Sequence, residues 1–430
     1  MNRQLESLIS KGLIQVAKVI QVVVPMKSPL VFIGVDSSVQ LATAIAHKGH
    51  KRVLIVTDAM LVQLGLLDKI QAELKNQGVN YWIYDGVQPD PTYQQVENGL
   101  DKVQQHRCDG ILALGGGSSM DAAKVIAALA ANANKSIDDL VGMFKVSKAP
   151  IPLYAVPTTA GTGSEATIAA VISNPDRQQK MQILDPKLIP STVALDPALM
   201  TGLPKQITAA TGMDALTHAL ESYMSLLATK DTDEQAEAAT KLIFENLRIA
   251  FNNGENIEAR QAMAMASFYA GQAFTKANLG YVHAIAHNLG AWYHVPHGLA
   301  NATVLPHILE YSHDAVSERL AQLAVKTGIG DPDKSAWQNS AKLITEVKQL
   351  IKDVEIPATL EKLKAQDVTT IATAALDEAR FHYAVPKYMD QQQCEAVLRK
   401  LLPAKTKPQP SAASNEGATL SDADGIQSRA

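Results

Sequence analysis

The chain has 430 residues, 47% of them hydrophobic and 19% charged, with a net charge of −4. That length leaves room for two or three domains with sizeable cores, and the charge gives no electrostatic reason to bind nucleic acid or an anionic membrane. The two cysteines, Cys108 and Cys394, stand far apart and in no CxxC pair, which speaks against a disulfide framework or thiolate-held zinc and fits a reducing cytoplasm.

Near the N-terminus, LIQVAKVIQVVV (13–24) is apolar but interrupted by Gln15, Lys18 and Gln21, too short to span a bilayer and followed by no small-residue cleavage site. Leu13, Val16, Ala17 and Ile20 recur at helical spacing, so an amphipathic opening helix is expected. Five β-rich runs follow: RVLIVT (52–57), YWIY (81–84), ILAL (111–114), LYAV (153–156) and TVAL (192–195). Helical stretches such as 59–76 and 118–133 fall between them, and this alternation predicts a parallel sheet covered by helices on both faces.

Three loops of that half carry candidate ligand contacts. Gly115, Gly116 and Gly117 join strand ILAL to a helix expected near Ser118, so that backbone N–H groups and the helix N-terminus can meet a pyrophosphate. A strand–helix turn that merely needs small residues would look the same, and the motif is not GxGxxG. Asp58 closes RVLIVTD, where a carboxylate can accept from ribose hydroxyls and repel a 2′-phosphate, favouring NAD over NADP. It can equally be a helix N-cap, and the two roles are compatible. The loop PTTAGTGSE (157–165) adds Thr158, Thr159 and Thr162 as hydroxyl donors.

From Pro204 the composition turns helical, as in 232–252 and 258–274, with no convincing strand. The expected organisation is an α/β, Rossmann-like dinucleotide-binding domain (1–203), an all-helical metal and catalytic domain (204–402) and a disordered tail (403–430) poor in large apolar residues. In ATGMDALTHALESY (210–223), Asp214 and His218 stand at i and i+4 on one helical face, close enough to grip one ion. GYVHAIAHNLGAWYHVPHG (280–298) then gathers His283, His287, His294 and His297, four of the chain's 11 histidines. His283 and His287 are again i and i+4; Pro296 breaks the pattern and His297-Gly298 is expected in a loop. One carboxylate and several imidazoles suit Fe²⁺ or Zn²⁺ better than Ca²⁺ or Mg²⁺. Spacing alone leaves open which histidines bind: His283 with His287 would make a pair and leave His297 a bystander.

The segments GGGSSMDAAK, PTTAGTGSE, GMDALTHALESY and GYVHAIAH…HVPHG, in this order along the chain, resemble the signatures of the iron-containing (group III) alcohol dehydrogenases over roughly residues 28 to 402. The resemblance implies that Asp214, His218, His283 and His297 are the metal ligands, that His287 stands beside the substrate and that Phe274 lines its pocket. It implies cofactor roles for Asp58, Gly115, Gly116, Gly117, Ser118, Asp121, Thr158, Thr159, Thr162 and Lys180. Asp90, in DGVQPDPT, replaces an Asn that some members use for the cofactor; it can accept a hydrogen bond but not donate one.

The expected reaction is hydride transfer between a primary alcohol or its aldehyde and NAD, with Fe²⁺ preferred and Zn²⁺ compatible. A bound metal can bring the pKa of water from 15.7 to about 7, roughly 12 kcal/mol, against about 1 kcal/mol net for one neutral hydrogen bond. A polyol dehydrogenase or a hydroxyacid–oxoacid transhydrogenase on the same scaffold are the rivals; a 3-dehydroquinate-synthase-like chemistry fits the DALTH and HxxxH motifs less well, and a metal-binding protein without catalysis would not need the phosphate turn. The expected partners are a small alcohol or aldehyde and further copies of the chain, in a homodimer or larger homo-oligomer, with no nucleic acid and no membrane.

Overall fold

The structure, a computed structural model, describes residues 12, 14–16, 18, 26–175 and 179–403. The opening helix expected over 13–24 lies largely outside these residues, and the tail from 404 onward lies wholly outside them. Among the described residues the strands are β1 (Leu30–Ile33), β2 (Arg52–Val56), β3 (Asn80–Tyr84), β4 (Gly110–Gly115), β5 (Gly142–Met143), β6 (Leu153–Pro157), β7 (Ala169–Asn174), β8 (Gln179–Leu184) and β9 (Thr192–Leu195). Helices α1 (Ser37–His47), α2 (Ala59–Gln63), α3 (Asp68–Asn76), α4 (Tyr93–His106) and α5 (Gly117–Ala131) connect strands of this part.

Six strands form one parallel sheet in the order β1-β9-β6-β4-β2-β3. Of its inner strands, β9, β6 and β4 are buried throughout and β2 is buried after Arg52, as strands covered on both faces must be. Alternation then divides the side chains: Val53, Ile55, Leu112, Leu114 and Val156 pack with Leu41 and Ile45 of α1 and Ile70 and Leu74 of α3. Leu54, Val56, Ile111 and Ala113 turn to the other face, toward Val96 and Val103 of α4 and the alanine-rich α5. The chain leaves β2 toward β3 on one side and leaves β4 toward β6 on the other. The connections therefore part above the C-terminal ends of β2 and β4, and a parallel sheet opens a ligand crevice at such a place.

The five predicted strands all form. Two features differ from the sequence reading. The helix expected over 59–76 is two, α2 and α3, because Gly65 takes φ +68 and turns the chain between them. A second sheet, β5-β8-β7, was not expected; β7 and β8 pair antiparallel, and β7 buries alternate residues. β1 also went unread, its short LVFI run lying at the sheet edge.

Beyond β9 come α6 (Lys205–Met224), α7 (Lys230–Asn252), α8 (Ile257–Ala277), α9 (Tyr281–Tyr293), α10 (His297–Lys326), α11 (Ala336–Asp353), α12 (Val368–His382) and α13 (Gln391–Lys400). The expectation of helices alone after Pro204 holds among the described residues. One buried cluster runs from Leu54 through Leu216, Ile285 and Leu305 to Leu401, so sheet and helices share a core. No helix among the described residues is long and apolar enough to cross a membrane.

Candidate active site

Two helices and one helix start bring the metal-type donors together. Asp214 and His218 lie one turn apart in the middle of α6, where both are buried. His283 enters from the first turn of α9, and His297 is the first residue of α10. This corrects the expected loop at His297-Gly298: His294 takes φ 53 and ends α9, Pro296 caps, and the next helix starts at once. One donor atom from each of Asp214, His218, His283 and His297 lies within 4.8 Å of all the others. His297 Nε2 is 3.5 Å and His283 Nε2 4.0 Å from Asp214 Oδ1.

The electrostatics favour a cation among these atoms. Burial, aided by the neighbouring imidazoles, lowers His283 well below an ordinary histidine. Burial also lowers His218, against the pull of Asp214, and brings His297 down to about 4, although its outer edge stays open to solvent. The three rings are therefore neutral at pH 7 and present lone pairs. His283 Nδ1 is taken by Glu221 Oε2 at 2.6 Å, which leaves its Nε2 to face the cluster. Asn301 Nδ2 sits 2.7 Å from Asp214 Oδ1 and 3.1 Å from Nε2 of both His283 and His297. One amide thus faces three acceptors, while Asn301 Oδ1 is buried without a partner. Buried acceptors left this short of donors are costly, and a divalent cation is the chemistry that satisfies them. The donor set fits such an ion.

The substrate-side candidates border this cluster. Phe274 stacks on His218 at 4.3 Å between ring centroids. The His287 ring lies 5.3 Å from that of His297 and 5.8 Å from that of His283. His294, by contrast, serves the backbone turn between α9 and α10.

The phosphate-type loops meet above the sheet. Gly115 takes φ +150, and a Cβ there would lie 2.5 Å from Ser119 Oγ. Gly116 caps α5 and Gly117 opens it, one residue earlier than expected, with Ser118 next in the first turn. A Cβ on Gly117 would fall 2.8 Å from Thr162, and one on Gly116 3.4 Å from Thr159 Oγ1, so the loops after β4 and β6 touch. Thr158 N–H donates to the Gly115 carbonyl at 3.0 Å. Asp58 ends the β2 edge of the crevice and caps α2, accepting from Leu61 N–H at 3.0 Å. Both readings of Asp58 thus remain compatible, since one carboxylate oxygen makes the cap.

Both carboxylate oxygens of Asp121 are engaged by the protein. Its Oδ1 accepts from Ser164 Oγ at 2.7 Å and its Oδ2 from Val171 N–H at 3.0 Å. Beside it, burial pushes Lys124 down to about 8, and its ammonium donates to Ser164 Oγ, Thr167 and the Ala169 carbonyl. The Asp121–Lys124 pair braces the 157–167 loop on α5. Lys180 of β8 pairs with Asp90 at 2.5 Å, and its charge adds a small push that lowers His297.

Four partners escaped the sequence reading: Glu221, Asn301, Glu378 and Tyr383. Glu221 follows Asp214 by two helical turns, and Asn301 follows His297 at i+4; both carried a local signal. Glu378 carried none.

Comparison with known proteins agrees with this architecture. Residues 28–197 match the model of the iron-containing alcohol dehydrogenases, and residues 208–402 match the C-terminal model of the same family. Alcohol dehydrogenase 4 of Saccharomyces cerevisiae is 38% identical over 376 residues, covering 86% of this chain and 96% of the yeast protein. The NAD-dependent methanol dehydrogenase of Bacillus methanolicus is 39% identical over 352 residues, 81% of this chain and 92% of its own. The solved alcohol dehydrogenase from Oenococcus oeni superposes with a TM-score of 0.84 at 36% identity, over 88% of this chain and 99% of that one. The chain belongs to the iron-containing alcohol dehydrogenase family.

Proposed function

We propose that this protein is an NAD-dependent, metal-dependent alcohol dehydrogenase that moves a hydride between a primary alcohol or aldehyde and NAD. The observation that carries the reading is the buried convergence of Asp214, His218, His283 and His297. The likeness to an NAD-dependent methanol dehydrogenase supports the cofactor. Asp214, His218, His283 and His297 would hold the ion, Fe²⁺ in first place with Zn²⁺ compatible. Bound together, the ion supplies Lewis acidity toward an alcohol oxygen and NAD supplies the hydride acceptor.

The chain's own groups do the rest. Asp214 offsets one of the ion's two charges and leaves the pocket positive, suited to an oxyanion. Phe274 packs on His218 and lines an apolar wall. His287 stands beside the substrate as proton acceptor. The 115–118 turn receives the pyrophosphate; Thr158, Thr159 and Thr162 border it, and Asp121 holds their loop. Asp58 accepts from the adenosine ribose, and Lys180 with Asp90 stands toward the nicotinamide side. Gly161 packs against Thr211 one turn from Asp214, which brings the cofactor loop beside the metal-type helix. The cytoplasm and a homodimer or larger homo-oligomer complete the proposal.

The test is an anaerobic panel of primary alcohols and aldehydes, with Fe²⁺ and with Zn²⁺, followed at the NADH absorbance band. Metal-dependent NAD-linked turnover is expected, and His218→Ala should lose both metal and activity. Full turnover in a rigorously metal-free preparation would overturn the reading.

A further inference from the structure

His287 is the side chain at the cluster's border with the most organised surroundings, and its partner comes from far along the chain. Its Nδ1 lies 2.7 Å from Glu378 Oε1, on α12. Tyr383 donates its hydroxyl to the same oxygen at 2.7 Å, and Asn288 Nδ2 donates to Glu378 Oε2 at 3.2 Å. Burial works to raise the Glu378 carboxyl, but the hydrogen bonds from His287 and Tyr383 oppose it, and the group stays below an ordinary glutamate. Tyr383 moves the other way, pushed well above an ordinary tyrosine by burial and by Glu378, so its hydroxyl stays a donor.

A carboxylate only accepts. The proton between the two side chains therefore belongs to His287 Nδ1, and in the neutral ring Nε2 carries the lone pair. That Nε2 has no protein partner among the described residues, and the ring sits 5.3 Å from the His297 ring at the edge of the metal-type cluster. About a quarter of the His287 side chain remains open to solvent.

We propose that Glu378, braced by Tyr383, is the positioning residue for proton transfer: it fixes His287 as the Nδ1–H tautomer, so that Nε2 receives the substrate's hydroxyl proton. This rests on the alcohol dehydrogenase reading above. In the oxidation direction the O–H bond breaks and its proton forms Nε2–H. The oxygen keeps the electron pair and uses it to form the carbonyl as the carbon's hydrogen leaves as hydride to NAD. The imidazolium then returns its Nε2 proton to solvent through its open edge, while Glu378 stays ionised throughout. A carboxylate that merely tied α9 to α12 would fix the same tautomer, but its loss would leave kcat and the pH–rate profile unchanged in a variant that still folds.

The experiment combines histidine tautomers with kinetics in Glu378→Gln and Glu378→Leu. ¹⁵N-histidine spectra of the zinc-loaded, diamagnetic protein, with His287 assigned by its loss in His287→Ala, should show Nδ1–H in the wild type and in Glu378→Gln. Glu378→Leu should shift His287 toward Nε2–H, keep stoichiometric metal, and lower kcat for alcohol oxidation by ~10- to 100-fold, a part of what a positioned base supplies. The KM for NAD should stay unchanged. An Nε2–H wild type overturns the proposal, as does a Leu variant with the wild-type kcat and pH–rate profile. Should the Leu variant not fold, the wild-type tautomer and the Gln variant decide. A wild type with no NAD-linked alcohol turnover sinks the enzyme reading together with the proton role, whereas normal turnover indifferent to Glu378 sinks the proton role alone.

Discussion

His283 and Glu221 form a buried pair: Nδ1 lies 2.6 Å from Oε2, and each side chain is about 1% exposed. Burial pushes the Glu221 carboxyl up to about 8, against three backbone N–H groups that favour its charge, from Val282, Gly280 and His283. The glutamate keeps this position because it turns His283 so that Nε2 faces the other donors. A metal-ligating histidine commonly rests its second nitrogen on such a group, which fixes both tautomer and ring orientation.

Replacing Glu221 by Ala should therefore weaken metal binding by ~10- to 100-fold, with Glu221→Gln closer to the wild type because its carbonyl still accepts from Nδ1. Competition with a calibrated chelator measures this directly. Equal affinities in all three proteins would show that His283 is held by packing alone.

Asp58 sets the cofactor preference in our reading. Asp58→Gly should narrow or invert the preference for NAD over NADP, because the 2′-phosphate no longer meets a carboxylate. Losing the cap on α2 should cost only a few tenths of a kcal/mol, since Gly is tolerated at an N-cap. The ratio of kcat/KM for the two cofactors is the readout, and a wild type that already prefers NADP would remove the role.

Gly163 and Gly271 cross backbone to backbone where the 157–165 loop meets α8. A Cβ on Gly271 would lie 2.6 Å from the Gly163 carbonyl oxygen, and one on Gly163 would lie 2.7 Å from the Gly271 Cα. Neither side can yield by turning a side chain. Gly271→Ala should cost ~1–3 kcal/mol as an overpacking change, seen as a lower denaturation midpoint, and should also raise the KM for NAD by displacing the 157–165 loop.

Acid should destabilise the chelator-treated protein. His283 and His218 are buried and hold their folded values below the 6.5 of a free imidazole. Below that value the unfolded chain takes up protons that the folded one refuses, so stability falls as pH falls. The loss begins near pH 6.5 and continues down through the lowered folded values. Thermal melts of the metal-free protein across this window should show it, and loading the ion at pH 7 should raise the midpoint by linkage. A metal-free midpoint flat from pH 7 to 5 would contradict neutral burial of these rings.

Much of the site was legible from local spacing. Asp214 and His218 one turn apart, four histidines between 283 and 297, and the glycine turn after ILAL each lie within a few residues, where helix and strand geometry alone fix proximity. The division among the histidines was not legible from spacing. His283 and His287 make as regular a pair as any, and only the resemblance to a family set His297 ahead of His287. The sheet β5-β8-β7 also escaped notice: β5 has only two residues, and AAVISN and QKMQIL of β7 and β8 do not alternate cleanly between apolar and polar types.

The sequence by itself determined the order of an α/β part followed by helices, the crevice loops at strand ends, and the donor chemistry of carboxylate with imidazole. All of these depend on periodicity and residue type within short windows. The tertiary structure alone decided that α10 begins at Pro296-His297 and so brings His297 to Asp214. It also decided that Glu221 orients His283 across 62 positions, and that Glu378 reaches His287 across 91. The physical reason is that such contacts depend on how α6, α9, α10 and α12 pack around a shared core, and no spacing along the chain encodes a crossing between helices.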